Sequence, residues 1–209
     1  KRDIELLKYA GGRIHFSNIS TAYAIQQIAK AKKNRLSVTC DVAAHNLIFD
    51  DTLLSDYDTN YKVNPPLRGK RDVKALEKGI TGSDIDVIVS SHTPQDEESK
   101  KLEFDHADFG MLGLQTFFPI IVKKLNGNDI SDLLEKFTVN PRVILNLPVP
   151  TIIEGKKADL TIFDPDLEWT YNSDTNYSKS VNSPWLGQTL KGAVLGVLNN
   201  GRSFFNTFT

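Results

Sequence analysis

The alternation of helical and strand-like segments over residues 1–42 restricts the fold of this chain more than any other feature. Residues 3–9 have a helical pattern that ends at a Gly-Gly pair, and residues 13–18 are strand-like. Residues 20–34 have apolar side chains at helical spacing after a Ser-Thr pair that can cap a helix, and residues 36–42 are β-rich. Helix, strand, helix and strand in this order predict a parallel α/β sheet.

The middle of the chain continues this pattern with longer loops. A Pro-Pro pair excludes a helix at 62–68, and the uninterrupted apolar run at 85–90 is typical of a strand covered on both faces. The other segments predicted here are a polar loop at 50–61, a helix at 71–78, a charged loop at 93–109, helices at 112–125 and 130–137, and a short helical turn that begins at Asn140-Pro141.

After Pro148 the sequence changes to short strands separated by Gly, Asn, Asp and Pro, expected at 158–163, 168–171, 192–198 and 202–208. This change predicts two domains, an α/β part over residues 1–148 and a small β-rich unit over residues 149–209. A closed eight-stranded barrel usually needs about 250 residues. The α/β part is therefore either the last part of a barrel or a different and smaller α/β fold.

Charge and composition exclude several classes of partner. The 25 Lys and Arg residues nearly balance the 26 Asp and Glu residues, so no excess of positive charge indicates binding to nucleic acid or to an anionic membrane. No apolar run approaches the roughly 20 residues of a membrane span. One cysteine, Cys40, excludes an intramolecular disulfide and fits a reducing compartment. We therefore expect a cytoplasmic protein, although the chain begins at Lys1 and its targeting stays open.

Polar residues follow three of the apolar strands. They lie in the stretches HFSNIST at 15–21, VAAHNL at 42–47 and VSSHTPQ at 89–95. In a parallel barrel the functional groups lie at the carboxyl ends of the strands. These three stretches are therefore the candidate functional site.

Each histidine has a simpler explanation than metal binding, which stays the less favoured alternative. His15 lies in a predicted strand and is expected to be a core or interlayer side chain, and His45 is expected to brace a strand end. His92 is expected to form a local hydrogen bond, and His106 lies in a charged loop and is expected to be exposed. Ser91 and His92 do not form a nucleophile-base pair, because adjacent strand side chains point to opposite faces.

Eight short motifs occur in a fixed order along the chain. They are N-I-S-T at 18–21, D-V-A-A-H-N-L at 41–47, N-P-P-L-R at 64–68, S-S-H-T-P-Q at 90–95, F-G-M-L-G-L at 109–114, N-P-R at 140–142, G-K-K-A-D-L at 155–160, and a tail from S-K at 178–179 through N-S-P-W-L-G at 182–187 to L-K-G at 190–192. Any one of these motifs is weak evidence. Together and in this order they resemble the C-terminal half of the dihydroorotases, which belong to the cyclic amidohydrolase superfamily.

The resemblance implies an α/β fold: the C-terminal part of a (β/α)8 TIM-type barrel with a small appended β-sandwich unit. It implies the reversible hydrolysis of dihydroorotate to N-carbamoyl-aspartate, a step of de novo pyrimidine biosynthesis. It also implies one or two zinc ions that activate water for attack on the ring amide. Most of the zinc ligands of the family would lie upstream of Lys1, and the last two map onto Asn18 and Ser91.

Those two metal positions depart from the family pattern. Asn18 replaces a histidine, and an amide oxygen is a poor ligand for zinc. Ser91 replaces an aspartate that is also the family's general base, and a serine hydroxyl cannot take that proton near pH 7. His15 cannot replace the lost histidine if the strand continues, because residues 15 and 18 of a strand face opposite sides. The resemblance therefore leaves no intact catalytic or metal residue in this chain.

Three substrate-binding positions are retained at least in part. Asn64 and Gly110 match residues that lie beside the substrate in the family. Gln95 replaces a histidine of the substrate pocket and keeps a hydrogen-bonding group. For Asn64 the alternative is that residues 64–66 form only a rigid turn.

Three functional hypotheses follow from the resemblance. The first is a non-catalytic homologue that acts as a structural partner, with aspartate transcarbamoylase as the implied companion. The second is an active zinc-dependent cyclic amidohydrolase whose metal ligands lie upstream of this chain, and the third is a module that binds dihydroorotate-like ligands through Asn64. In each case the first strand of a half-barrel would be an open edge. We expect the missing N-terminal half, or a homo-oligomer, to cover it.

Overall fold

The computed structural model describes residues 1–125 and 130–206 of the 209-residue chain. Its first sheet has three parallel strands in the order β1-β2-β3, namely β1 at Arg13–Phe16, β2 at Ser37–Ala43 and β3 at Val87–Val89. The helices α1 at Arg2–Ala10, α2 at Ala22–Lys33 and α3 at Lys70–Thr81 alternate with these strands. The predicted alternation and the parallel sheet are thus confirmed.

Helix α2 shows how the local sequence sets the start and the packing of an element. The side chain of Thr21 caps the helix, because its hydroxyl oxygen accepts a hydrogen bond of 3.2 Å from the amide of Ala24. Ile25, Ile28 and Ala31 then fall on one face and are buried. Full burial of one such isoleucine stabilises a fold by about 1.5–3 kcal/mol.

The face of the sheet that carries Val38, Cys40 and Val42 is buried in the same core as α2 and α3. Helix α3 contributes Leu76, which is fully buried. Helix α3 also packs closely against Ile85 at Gly79, where a β-carbon would lie 2.8 Å from the Ile85 side chain. The opposite face of the sheet, towards the inside of a barrel, carries the more polar residues.

The middle segments differ from their predicted bounds, since the helix expected at 71–78 is the longer α3 at Lys70–Thr81 and the predicted loops contain short helices. The loop expected at 50–61 contains two 3-10 helices, at Asp51–Leu54 and Thr59–Tyr61. The charged stretch at 93–109 contains the short helix α4 at Glu97–Lys100. The remaining helices are α5 at Leu114–Leu125, α6 at Ser131–Leu134 and α7 at Val139–Ile144.

The second sheet is antiparallel, in the order β4-β5-β6, with β4 at Leu160–Tyr171, β5 at Gln188–Asn199 and β6 at Arg202–Phe205. The strands predicted at 158–163 and 168–171 are one strand, β4, and Pro165 lies within its second register shift. The last strand was predicted to reach residue 208, which lies outside the described residues.

The antiparallel sheet packs on α5, where the ring centroids of Phe118 and Phe163 are 4.9 Å apart. Tyr171, Trp185 and Leu190 belong to the same buried cluster as the parallel sheet. The two sheets therefore share one core, and the domain boundary at residues 148/149 stays a prediction. Within residues 1–125 and 130–206, no helix combines the length and apolar character that crossing a membrane requires.

Candidate functional site

The carboxyl ends of the three parallel strands lie at one edge of the sheet. The register pairs Phe16 with Cys40 and Ala43 with Val89, so all three strands point the same way. Asn18 follows β1 and Ser91 follows β3 after one intervening residue each. Both family metal positions therefore lie at the carboxyl edge, where a barrel places its functional groups.

Asn18 lies in a tight turn that Asp41 holds from behind. Its backbone has a φ of 52°, a left-handed conformation that asparagine tolerates better than most residues. The amide of Asn18 donates to the Asp41 carboxylate at 2.6 Å, and the amide of Ile19 donates to the Asp41 carbonyl at 3.0 Å. The side-chain Oδ1 of Asn18 is buried and has no hydrogen-bond partner. The turn is thus fixed by protein atoms, while the amide oxygen is not used.

His15 contacts the same carboxylate. Its Nε2 lies 2.9 Å from Oδ2 of Asp41, and its Nδ1 lies 2.8 Å from the hydroxyl of Thr39. The expectation of a core or interlayer histidine was wrong in part, because the ring is partly exposed on the inner face of the sheet. The prediction that positions 15 and 18 face opposite sides was also incomplete, because the strand ends at Phe16 and Asn18 turns back. Both ring nitrogens of His15 are occupied within the protein.

Ser91 also has a left-handed backbone, with a φ of 47°. The next side chain, His92, accepts hydrogen bonds at Nδ1 from the amides of Gly113 and Leu114, at 3.1 and 3.3 Å. These amides lie at the start of α5, so His92 ties the end of β3 to that helix. Burial lowers the pKa of His92, which keeps the ring neutral and able to accept. His92 therefore forms the local hydrogen bonds expected of it, and its Nδ1 is not available to the Ser91 hydroxyl.

Sequence reasoning does not single out Gly113, although this residue controls the junction. A β-carbon at Gly113 would lie 2.2 Å from the carbonyl oxygen of Ser90, so no other residue fits without a backbone shift. The only sequence signal is its place in the F-G-M-L-G-L motif. Gly113 lets the start of α5 approach the end of β3.

His45 and Asn46 lie in the short 3-10 helix after β2 and are buried. Burial of the His45 side chain lowers its pKa to about 4. The backbone carbonyl of His45 accepts the amides of Ile48 and Phe49, and the bracing role expected of the side chain stays a prediction. Oδ1 of Asn46 is a second buried side-chain oxygen without a partner at this edge. His106, by contrast, has 72% of its side chain exposed, as expected.

Gln95 and Gly110 are brought together in the loop between β3 and α5. The side-chain amide of Gln95 donates to the carbonyl of Phe109 at 2.9 Å, and its backbone amide donates to Oδ1 of Asn182 at 3.2 Å. Gly110 has a φ of 154°, and a β-carbon there would lie 2.6 Å from the carbonyl of Thr93. The Gln95 side-chain nitrogen is therefore committed to the loop, which leaves its Oε1 for other contacts. In the sequence, Asn182 stands out only as part of a motif and not as a site residue.

Asn64 is exposed and precedes a cis peptide bond to Pro65. The carbonyl of Lys62, two residues earlier, accepts the amide of Gly110 at 2.9 Å. The Asn64 segment is thus joined directly to the loop that contains Gly110. Both explanations of Asn64, the turn and the retained pocket residue, are compatible with this position.

Two lysines that sequence reasoning missed anchor that loop. Lys100 is only 6% exposed, although the charged stretch around it predicts a solvated loop. Its Nζ donates to the carbonyls of Thr59, Asp108 and Gly110 at 2.6, 2.8 and 3.2 Å. Lys62 is also buried. No periodic pattern marks either lysine, because their partners are backbone carbonyls distant in sequence.

The residues at the two metal positions do not fit a zinc site. Zinc prefers imidazole, thiolate or carboxylate ligands, whereas Asn18 offers a buried amide oxygen and Ser91 a hydroxyl. Within residues 1–125 and 130–206 no group of three or more His, Cys, Asp or Glu side chains is arranged to hold a metal ion. Any zinc at this edge would depend on ligands from outside this chain.

The three-stranded parallel α/β unit, with polar residues at its strand ends and an antiparallel sheet attached, is part of a β/α barrel. Residues 9–203 match the amidohydrolase family, and the chain belongs to that family. It is 43% identical to a dihydroorotase from Carboxydothermus hydrogenoformans over 91% of this chain and 45% of that protein. The chain thus spans about half the length of the curated relatives it matches.

Solved structures give the same fold. An L-hydantoinase (dihydropyrimidinase) from Arthrobacter aurescens matches with a TM-score of 0.88 and 23% identity, over 99% of this chain and 49% of that one. The inactive dihydroorotase-like domain of a Chaetomium thermophilum CAD-like multifunctional protein matches with a TM-score of 0.68 and 21% identity, over 96% and 53%. The prediction of a fragment of a TIM-type amidohydrolase barrel is confirmed, and the alternative of a smaller, unrelated α/β fold is wrong.

Proposed function

We propose that this chain is the C-terminal half of a dihydroorotase-like protein of de novo pyrimidine biosynthesis, and that it supplies no metal ligand and no general base. The observation that carries the proposal is the pair of residues at the carboxyl edge. Asn18 and Ser91 stand where the family has a zinc-binding histidine and an aspartate that binds zinc and takes a proton. The likeness to curated dihydroorotases supports the assignment to this branch of the family.

Neither residue can perform the lost chemistry. A serine hydroxyl does not accept a proton near pH 7 unless a base assists it, and Nδ1 of His92 already binds two backbone amides. An amide oxygen stabilises zinc less well than an imidazole nitrogen. Hydrolysis of dihydroorotate through this edge therefore requires groups from elsewhere.

For a half-barrel that does not catalyse a reaction, we propose a structural role. One strand edge of β1 pairs with β2, and among the described residues no strand pairs with the other edge. The missing N-terminal half or a second copy of the chain would complete the sheet. The inactive dihydroorotase-like domain in the Chaetomium protein supports the idea that such folds persist without activity. Aspartate transcarbamoylase is the companion we propose.

Metal analysis together with a dihydroorotate hydrolysis assay on the full-length protein tests this proposal. We expect no stoichiometric zinc and no hydrolysis above background. Stoichiometric zinc with turnover would instead establish the rival hypothesis, an active enzyme whose ligands lie upstream. The double variant Asn18→His with Ser91→Asp should gain zinc only if the upstream ligands exist. Co-purification with aspartate transcarbamoylase tests the companion, and a lone monomer would contradict it.

A second candidate function is the binding of dihydroorotate-like ligands without turnover. The observation that favours it is the ordered loop that places Gly110 and Gln95 beside the Asn64 segment. Calorimetric titration of the full-length protein with dihydroorotate measures this directly. Retention of the pocket is supported if binding is saturable and Asn64→Ala weakens it at least about tenfold. This is the effect of roughly one lost hydrogen bond to a ligand. Absence of binding would limit the protein to the structural role.

A further inference from the structure

The backbone of Gly110 is held on both sides, at its amide and at its carbonyl, by hydrogen bonds to lysine residues. Its amide donates to the backbone carbonyl of Lys62 at 2.9 Å. Its carbonyl accepts from Nζ of Lys100 at 3.2 Å. A β-carbon at Gly110 would lie 2.6 Å from the carbonyl oxygen of Thr93, so the backbone packs closely against that segment here. Two hydrogen bonds from different segments therefore fix its orientation.

The same two lysines join the loop to the segment before Asn64. Lys100 and Thr59 bond reciprocally, because the Lys100 ammonium donates to the Thr59 carbonyl at 2.6 Å and the Thr59 hydroxyl donates to the Lys100 carbonyl at 2.7 Å. Nζ of Lys62 donates to the carbonyl of Asp105 at 2.9 Å and lies 4.7 Å from the centre of the Phe109 ring. The part of the loop from Lys100 to Phe109 is thus fastened to the segment before Asn64 at several points.

If Lys100 served only to stabilise the fold, a buried ammonium would be a costly choice. The Lys100 ammonium is buried among carbonyl oxygens and has no hydrogen-bonded carboxylate partner among the described residues. Burial and the positive charge of Lys62 both lower the pKa of Lys100. An apolar side chain would avoid the desolvation of a charge. Only a donor with several N–H groups, however, can bind three carbonyls from two segments at once.

We propose that Lys100 is a positioning residue that holds the Gly110 peptide in place against the Asn64 segment. Its ammonium links the Thr59 carbonyl, five residues before Asn64, to the Gly110 carbonyl, and so adds a second connection beside the hydrogen bond from the Gly110 amide to the Lys62 carbonyl. Lys62 assists through its carbonyl and through its contact with Phe109. The importance of this geometry for ligands depends on the proposed binding function. The positioning itself does not.

The test compares Lys100→Met with Lys101→Met in the full-length protein. Lys101 is the matched control, because it is the adjacent lysine, is exposed and pairs with Glu97 one helical turn away. Hydrogen exchange of the Gly110 and Asp108 amides is the local readout. We expect Lys100→Met to accelerate exchange there by about tenfold or more, as loss of charge-assisted hydrogen bonds implies. Exchange in α3, and exchange everywhere in the control, should be unchanged.

A role in general stability would give a different pattern. Lys100→Met would then accelerate exchange in α3 as much as at Gly110, and that result would overturn the proposal. Lys100→Arg should restore slow exchange at Gly110, because a guanidinium also donates to several carbonyls. Failure of this variant to restore it, while Lys100→Met is locally loosened, would also count against the assignment.

A second measurement uses the unaltered protein and does not depend on a variant that folds. Brief labelling with acetic anhydride modifies accessible lysine amines. We expect Lys100 to react at least about tenfold more slowly than Lys101, since its ammonium is buried and bound. Equal reactivity would refute the proposed positioning. Dihydroorotate titration separates the two proposals: absence of binding by the unaltered protein refutes the retained pocket only, whereas the exchange and labelling results decide the role of Lys100.

Discussion

Acidification should destabilise this protein through His45. The side chain is only 4% exposed, and burial lowers its pKa from 6.5 to about 4. In the unfolded chain the same imidazole binds a proton below its ordinary pKa, whereas the folded protein excludes that proton until the pH approaches 4. The unfolded state therefore gains protons first. The stability associated with neutral His45 is complete above pH 6.5 and is lost as the pH falls towards 4.

The size of the effect follows from the shift. Each pKa unit corresponds to about 1.36 kcal/mol, so the difference between 6.5 and 4 corresponds to about 3 kcal/mol across this window. Urea unfolding at a series of pH values between 7 and 4 measures it. Carboxylates also titrate in this range, so the relevant quantity is the difference between the unaltered protein and His45→Leu, whose side chain cannot ionise.

The matched control is His106→Leu, because His106 is the same residue type in an exposed loop. We expect the free energy of unfolding to fall more steeply with acid in the unaltered protein and in His106→Leu than in His45→Leu. If all three proteins lost stability in parallel between pH 6.5 and 4, burial would not control the ionisation of His45 and the argument would be wrong.

Two further substitutions test the carboxyl edge. Asp41→Ala removes the buried acceptor of the Asn18 amide, so we expect a loss of about 3 kcal/mol in urea unfolding, whereas the isosteric Asp41→Asn should cost less. Gly113→Ala should lower the melting temperature strongly, because its β-carbon would lie 2.2 Å from a backbone carbonyl. Gly187→Ala is the control, at a left-handed glycine with open space around it, and should cost only about 1 kcal/mol of stability. Equal losses at the two glycines would contradict the close approach at Gly113.

The sequence predicted those parts of the fold that depend on short-range patterns. The helical spacing of Ile25 and Ile28 and the cap at Thr21 gave α2 to within two residues at each end. The apolar run at 85–90 gave the location of β3 but overstated its length, because apolar character alone does not mark where pairing ends. Likewise the turn signals around Pro165 suggested two strands, whereas partners on β5 keep both parts in one strand.

The candidate site was predictable in position and less so in detail. The rule that parallel strands carry function at their carboxyl ends placed Asn18 and Ser91 correctly. The roles of Asp41 and Lys100 were missed because each depends on partners brought close by the fold. Asp41 binds residues that precede it by more than 20 positions. The carbonyls that bind Lys100 carry no signature in the sequence.

The backbone at Asn18 and Ser91, the two positions that the family resemblance assigns to metal ligands, is secured by groups elsewhere in the protein. Asn18 and Ser91 both have left-handed backbones, which cost free energy for most side chains. The turn at Asn18 is secured by the Asp41 carboxylate, and the chain after Ser91 is secured by His92 against the start of α5. Neither hydrogen bond uses the side chain at position 18 or 91. Asp41 and His92 therefore hold the backbone of this edge independently of the two side chains that the family resemblance assigns to metal binding.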